Sequence, residues 1–198
     1  GLLHAAPAYA DHVHARLLAV RTEEAAAMPG VLRVLTAADV PGARCVGQIQ
    51  QDFPVFASDR IRCHGDVVAL VVARSRAEAI AAAARVTVEA EPLPALLDPE
   101  EALAEGAPLV HEARGTNVVN HHRVRRGDAD AELEACDLVL DEVFRTQAVE
   151  HAYLEPESAL AIPRWDGTVE LRVSTQHPFS ARRFVAAVLG VPLHGVEL

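Results

Sequence analysis

The hydrophobic positions in the first half of the chain alternate between short strand-like and helix-like stretches. The most apolar stretch is Asp66 to Ala73, where valine, leucine and alanine follow one another almost without interruption. Such a run is typical of a strand buried on both faces. We expect it to pair with the preceding stretch, Arg60 to Cys63. Further strands are predicted at 2–8, 13–20, 31–35 and 86–90, with helices at 23–28, 37–40 and 76–84.

Capping and turn signals support these boundaries. Ser75 is placed to cap the helix that begins at Arg76, and Glu78 follows three residues later as its capping-box partner. The pair Pro29-Gly30 ends the predicted helix at 23–28. Residues 41–57 carry only weak signals and are predicted to form a long loop.

The pattern restarts after residues 92–118, which are rich in proline and acidic side chains and are the best candidate for a linker. Asp128 is placed to cap a following helix, and Pro178 and Gly190 mark the start and end of the last one. Trp165-Asp166-Gly167 indicates a hairpin turn. The strands predicted in this half are 117–125, 138–149, 156–162 and 169–173, and the helices are 99–104, 129–135 and 178–189. The sequence therefore predicts an α+β fold in two parts.

Composition and charge exclude several classes of function. The 198 residues are 51% hydrophobic and 23% charged, as in ordinary globular proteins. The net charge is −10, so no basic stripe is present to bind a nucleic acid backbone. No apolar run is long enough for a membrane span, and no signal peptide opens the chain. Three scattered cysteines favour a cytoplasmic setting over a disulfide framework; they are Cys45, Cys63 and Cys136.

The remaining candidates for chemistry are few. His12 and His14 would share one face of a strand and could both reach a metal ion, but no acidic or cysteine partner is suitably spaced. His121 and His122 would point to opposite faces. The carboxylate pairs Glu89/Glu91 and Glu155/Glu157 are more typical of solvated strand edges. Nucleophile-elbow and glycine-rich phosphate-loop motifs are absent.

Ser174 to Pro178 is the most informative junction, because polar side chains separate a predicted strand from a proline-started helix. Such junctions hold polar groups rigidly and direct backbone N–H groups towards a ligand. The alternative is that Ser174 or Thr175 simply caps the helix.

Several stretches occur together in an order that resembles the molybdopterin-binding subunit of the xanthine dehydrogenase/aldehyde oxidase family. Those in the first half resemble its α/β hammerhead domain, and those in the second half resemble the start of its molybdenum cofactor-binding domain. They are Leu3 to Ala6, His12 to Arg16, Met28 to Val31, Leu35 to Gly42, His64 to Ala73, Glu91 to Ala95, Arg126 to Asp128, His151 to Glu157, Ser174 to Pro178 and Ala186 to Pro192. The implied division is a hammerhead domain at 1–95, a linker at 96–118 and the cofactor domain from 119 to 198. One departure is Gly65-Asp66-Val67, where the family's hammerhead usually has Gly-Gln-Pro.

The resemblance implies an oxidoreductase that hydroxylates N-heterocycles or aldehydes with oxygen taken from water. It implies a molybdenum–molybdopterin cofactor, or its cytosine dinucleotide form, with iron–sulfur clusters and FAD on partner subunits or domains of an oligomer. By motif, Gln176 corresponds to the family's glutamine whose amide lies beside the molybdenum oxo ligand. An amide there can donate a hydrogen bond without adding charge.

We expect the chain to be a fragment, because it begins and ends within predicted strands and contains no catalytic residue of the family. Alone, it is expected to be inactive. Two alternatives remain. A carbon monoxide dehydrogenase- or hydroxybenzoyl-CoA reductase-like subunit shares the architecture, and a non-catalytic docking module is the alternative from a different class.

Overall fold

The computed structural model describes residues 1–198, which form short strands and helices in alternation. The strands are β1 (His4–Tyr9), β2 (Ala15–Arg21), β3 (Val31–Leu35), β4 (Cys45–Val46), β5 (Phe53–Pro54), β6 (Arg60–Ile61), β7 (Val67–Ala73), β8 (Thr87–Pro92), β9 (Ala159–Pro163), β10 (Val169–Val173) and β11 (Val196–Glu197). The α-helices are α1 (Glu23–Ala26), α2 (Arg76–Ala83), α3 (Pro99–Leu103), α4 (Ala129–Glu134) and α5 (Pro178–Leu189). Short 3-10 helices occupy Ala37–Asp39, Glu112–Arg114 and Leu193–Gly195. The α+β class is confirmed.

Strand β7 lies at the centre of an antiparallel sheet between β1 and β3. Val68 packs in a buried cluster with Leu17 of β2, in the neighbouring sheet β6-β2-β8. Farther along the strand, Val71 packs with Ala82 of α2. Because β7 is covered in this way on both faces, its sequence has no solvent-facing polar positions. The prediction of a doubly buried strand is confirmed.

The prediction that Arg60 to Cys63 pairs with Asp66 to Ala73 is wrong. Strand β6 pairs with β2, whereas β7 pairs with β1 and β3 in the other sheet. The carboxylate of Asp66 accepts a hydrogen bond from the backbone N–H of Arg62 at 2.8 Å. Gly65 adopts a φ of 91°, which favours glycine. This turn directs the chain from one sheet into the other instead of closing a hairpin.

Helix α2 begins where its capping signal places it. The Ser75 side chain accepts a hydrogen bond from the backbone N–H of Glu78 at 3.3 Å, and its hydroxyl donates to the Glu78 carboxylate at 2.8 Å. Ala79 and Ala82 are fully buried. Small side chains at these positions let the helix pack closely against the β1-β7-β3 sheet.

The chain divides into two compact units, one containing residues 1–98 and 157–198, the other residues 99–156. In the second unit, the Asn117 carboxamide donates to the carbonyls of Ala102 and Pro108, both at 2.9 Å. Asp128 caps α4, as predicted. The strands predicted at 117–125 and 138–149 are not formed. These stretches have the alternating pattern of strands, but no partner strand of this unit supplies a hydrogen-bonding ladder.

The last part of the chain forms a three-stranded sheet in the order β11-β10-β9. Strands β9 and β10 make the predicted hairpin, with Asp166 accepting hydrogen bonds from the backbone and hydroxyl of Thr168 at 3.0 and 2.7 Å. Helix α5 connects β10 to β11, which pair in parallel. The α5 boundaries, Pro178 and Leu189, are those predicted, and Gly190 ends the helix with a φ of 67°.

Candidate functional site

The junction between β10 and α5 consists of residues 174–177, and its backbone is held by a local turn. The Thr175 hydroxyl oxygen accepts a hydrogen bond from the backbone N–H of His177 at 3.1 Å. His177, not Ser174 or Thr175, occupies the N-cap position, and no side chain caps the helix. The capping alternative is therefore wrong, and the first N–H groups of α5 are left without a capping side chain.

Gln176 lies in this turn and is exposed to solvent. Its carboxamide makes no hydrogen bond with any other residue of the chain. The amide can therefore donate and accept hydrogen bonds with an external group. The first turn of α5 has no acidic side chain to compete for its N–H groups.

A groove of about 370 Å³ lies along the first two turns of α5. It is lined by Pro178, Phe179 and Arg182 of the helix, together with Glu197 and Leu198. Arg182 is held by the carbonyls of Leu193 and Val196, at 3.1 and 2.6 Å from its Nε. The start of α5 therefore presents backbone N–H groups and the neutral Gln176 amide, and the neighbouring groove contains both a guanidinium and the Glu197 carboxylate.

The histidine candidates are not brought together as a metal site. The sequence predicted that His12 and His14 share one face of a strand, but both residues precede β2 and lie outside any strand. The His14 ring Nδ1 donates to the carbonyl of Pro94 at 2.6 Å. The strand predicted for His121 and His122 is not formed, and the ring of His122 bonds the Asn120 amide at 2.8 Å. Across residues 1–198, no three His, Cys, Asp or Glu side chains form a metal-binding group.

The carboxylates flagged in β8 have structural partners. Glu89 bonds Arg21 of β2 at 2.9 Å, and this hydrogen bond lowers the pKa of the Glu89 carboxyl. Glu91 lies 3.6 Å from Arg16. Glu155 and Glu157 are exposed in an irregular segment. These carboxylates therefore make cross-strand contacts or are solvated.

One contact near this site was not indicated by the sequence. The loop after the 3-10 helix Ala37–Asp39 lies against the end of α5, where the Gly42 N–H donates to the carbonyl of Val188 at 2.9 Å. Residues 41–57 carried too weak a pattern to predict this. The Pro41-Gly42 pair was the available signal, but a glycine that touches a distant helix has the same local sequence as one in a free turn.

Two family profiles together match almost the whole chain. Residues 1–94 match the aldehyde oxidase and xanthine dehydrogenase a/b hammerhead domain, and residues 110–198 match the molybdopterin cofactor-binding domain. These matches identify a hammerhead domain followed by a region of the molybdopterin cofactor-binding domain.

Individual relatives agree with these profiles. The chain is 36% identical to a xanthine dehydrogenase of Oryza sativa subsp. japonica over 96% of its own length and 14% of that protein. It is 31% identical to a nicotinate dehydrogenase large molybdopterin subunit of Eubacterium barkeri, covering 93% of this chain and 43% of the relative. The structure matches quinoline 2-oxidoreductase from Pseudomonas putida 86 with a TM-score of 0.85, 31% identity and coverage of 99% and 26%.

The chain belongs to the xanthine dehydrogenase/aldehyde oxidase family, whose members are molybdopterin oxidoreductases. It spans about a seventh of the rice relative and less than half of the bacterial one. No helix in residues 1–198 is both long and apolar enough to cross a membrane.

Proposed function

We propose that this chain acts within a molybdenum hydroxylase that oxidises an N-heterocycle or an aldehyde, with water as the oxygen source. The observation that carries the proposal is the free, exposed carboxamide of Gln176 at a strand-to-helix junction closed by the Thr175 hydroxyl, in a chain of this family. When bound, the molybdopterin group supplies the redox chemistry. The names of the relatives, a xanthine, a nicotinate and a quinoline enzyme, support an N-heterocyclic substrate.

The residues of this chain bind and orient the cofactor instead of ligating its metal. The Gln176 amide N–H is proposed to donate to an oxygen atom of the cofactor and so to fix its orientation. The turn closed by Thr175 limits the backbone motion of Gln176. Because an amide is neutral, this contact orients the acceptor without changing the charge of the site.

The larger assembly is also part of the proposal. A relative described as a large molybdopterin subunit supports a complex of several subunits. That other subunits or domains of it carry iron–sulfur clusters and FAD is what the family resemblance implies. Within this chain we propose a hammerhead domain at 1–95, a linker at 96–118 and the cofactor domain from 119 onward. The three cysteines are free thiols, which supports a reducing, cytoplasmic setting.

The function is tested on the intact enzyme by metal analysis and by isotope labelling. We expect about one molybdenum per copy of this chain, and heavy oxygen from labelled water in the hydroxylated product. Candidate substrates are a purine, a nicotinate, a quinoline and an aromatic aldehyde. Absence of molybdenum, or product oxygen derived from molecular oxygen, would contradict the proposal.

The role of Gln176 is tested by Gln176→Ala in the intact enzyme. Loss of a single orienting hydrogen bond next to a metal group typically costs about 10–100-fold in activity, so kcat is expected to fall by that factor. Molybdenum content and substrate KM should change little. Gln51→Ala, at another exposed glutamine, is the matched control and should retain full activity. Equal turnover in the two variants would rule out a functional role for Gln176.

A further inference from the structure

The segment from Pro41 to Gln48, which we call the clasp, contacts helix α5 near both of its ends. At the C-terminal end, the backbone N–H of Gly42 donates to the carbonyl of Val188 at 2.9 Å, and that of Ala43 donates to the carbonyl of Ala187 at 2.8 Å. The last carbonyls of a helix have no N–H partner within it. The clasp therefore satisfies the Val188 carbonyl, and it adds a second hydrogen bond to the Ala187 carbonyl, which also accepts from the Gly190 N–H at 3.2 Å.

Glycine is the only residue type that fits at position 42, where the clasp contacts α5. A Cβ atom at position 42 would overlap the carbonyl oxygen of Ala187 and lie 2.6 Å from the backbone N of Gly190. Both are backbone atoms, so no side-chain rotation relieves the overlap. Any larger residue must displace either the clasp or the C-terminal end of α5.

The other end of the clasp reaches the first turn of α5. The Ser180 hydroxyl donates to the Gln48 side-chain oxygen at 3.0 Å. Just before Gln48, a Cβ atom at Gly47 would overlap the carbonyl oxygen of Gln50, so the turn that presents Gln48 also requires glycine. The clasp thus fixes the helix at two points near its opposite ends.

Helix α5 transmits this placement to the junction. It is a continuous helix of 12 residues, so displacement of its C-terminal end also moves its first residue, Pro178. Gln176 lies two residues before Pro178 in the turn closed by the Thr175 hydroxyl. A shift of about 1 Å in a positioning group can lower a reaction rate about 100-fold.

We propose that the clasp is a positioning element for Gln176, with Gly42 as its essential residue. This inference rests on the proposed function, because it gives the clasp a role only if Gln176 contacts the cofactor. A merely structural clasp would lower the amount of folded, loaded enzyme. A positioning clasp changes the properties of enzyme that is already folded and loaded.

The test is a double-mutant cycle in the intact molybdenum enzyme, with rates expressed per bound molybdenum. Gly42→Ala is expected to lower kcat about 10-fold with KM unchanged, and to alter the Mo(V) electron paramagnetic resonance spectrum. Combined with Gln176→Ala, it should add little to the single Gln176→Ala loss, because both changes remove the same interaction. Multiplicative losses in the double variant would overturn the inference.

Gly195→Ala is the matched control. Gly195 lies in the 3-10 helix that follows α5, and an added Cβ would lie 3.5 Å from the Val191 side chain, an ordinary van der Waals contact. This variant should retain the parent kcat and spectrum. If Gly42→Ala behaves like Gly195→Ala, the clasp does not position Gln176.

Ser180→Ala keeps the test decisive if Gly42→Ala does not fold. It removes the hydroxyl that bonds Gln48 without adding any atom. We expect a fall in kcat of about 2- to 5-fold that disappears in the Gln176→Ala background. A fall that persists in that background overturns the inference. If Gln176→Ala alone leaves kcat unchanged, the proposed role of Gln176 fails first, and the positioning role fails with it.

Discussion

Asp66 shows how one buried carboxylate can determine both a turn and the reactivity of a neighbour. It is 8% exposed and accepts a hydrogen bond from the Cys63 thiol at 3.1 Å. Partial burial, the hydrogen bond to Asp66 and its negative charge raise the pKa of the Cys63 thiol to about 11. The sequence shows an acidic residue at position 66, but it does not show that the chain turns between two sheets at this point.

Cys63 is therefore expected to react slowly with alkylating reagents. A raised pKa means less thiolate, and at pH 8 a pKa of about 11 leaves about 0.1% of the thiol ionised. Labelling by iodoacetamide, followed by peptide mass spectrometry, should be about 10-fold slower than for an unperturbed cysteine with a pKa near 8.5–9, because the smaller thiolate fraction outweighs the greater nucleophilicity of the more basic thiolate. Asp66→Asn removes the charge at constant size and should accelerate labelling. Asp130→Asn, at an exposed carboxylate on α4, should not. Equal labelling rates in the parent and Asp66→Asn proteins would contradict this assignment.

At the scale of single elements, local chemistry determined most boundaries. The capping pair Ser75/Glu78, the turn around Gly167 and the Pro178/Gly190 pair each specify an end of an element through hydrogen bonds within a few residues. The two wrong strand predictions, 117–125 and 138–149, concern elements that depend on contacts with a distant segment. A strand is stable only against a partner, and alternation in one segment does not say whether a partner is adjacent.

Helix α2 provides a quantitative test of local capping. Ser75→Ala removes the acceptor of the Glu78 N–H and should lower the free energy of unfolding by about 1 kcal/mol, within a range of about 0.5–2 kcal/mol. Ser158→Ala, at an exposed serine outside any element, should have an effect of less than about 0.5 kcal/mol. Urea denaturation of both variants measures the difference. A Ser75→Ala protein as stable as Ser158→Ala would show that the cap is replaced by water.

At the scale of the whole molecule, the compact units do not coincide with the regions that the family profiles match. Residues 157–198 belong to the same compact unit as residues 1–98, although the cofactor-domain profile extends from 110 to 198. Within that unit the clasp and α5 are in contact, though more than 130 residues apart in the chain. The hammerhead is thus in direct contact with the helix that follows Gln176.

The candidate site was predictable only in part. Gln176 stood out because it lies between a strand and a proline-started helix and matches a family motif. Its availability was not predictable, since an exposed carboxamide without a partner is a property of the fold. The contribution of Gly42 was not predictable either. A side chain at position 42 would overlap backbone atoms of Ala187 and Gly190, which are distant in sequence and lie next to Gly42 only in the folded chain.

The sequence by itself determined the α+β class, the doubly buried β7, the helix caps and the family. Each of these depends on hydrophobic period, on capping over three residues or on motif order, and all three are local properties that can be read along the chain. Tertiary structure alone decided how strands β1 to β8 pair, the absence of the two strands predicted in 117–149, and the contact of the clasp with α5. These features depend on interactions between segments that are distant in sequence. Such interactions form only when folding brings the segments together.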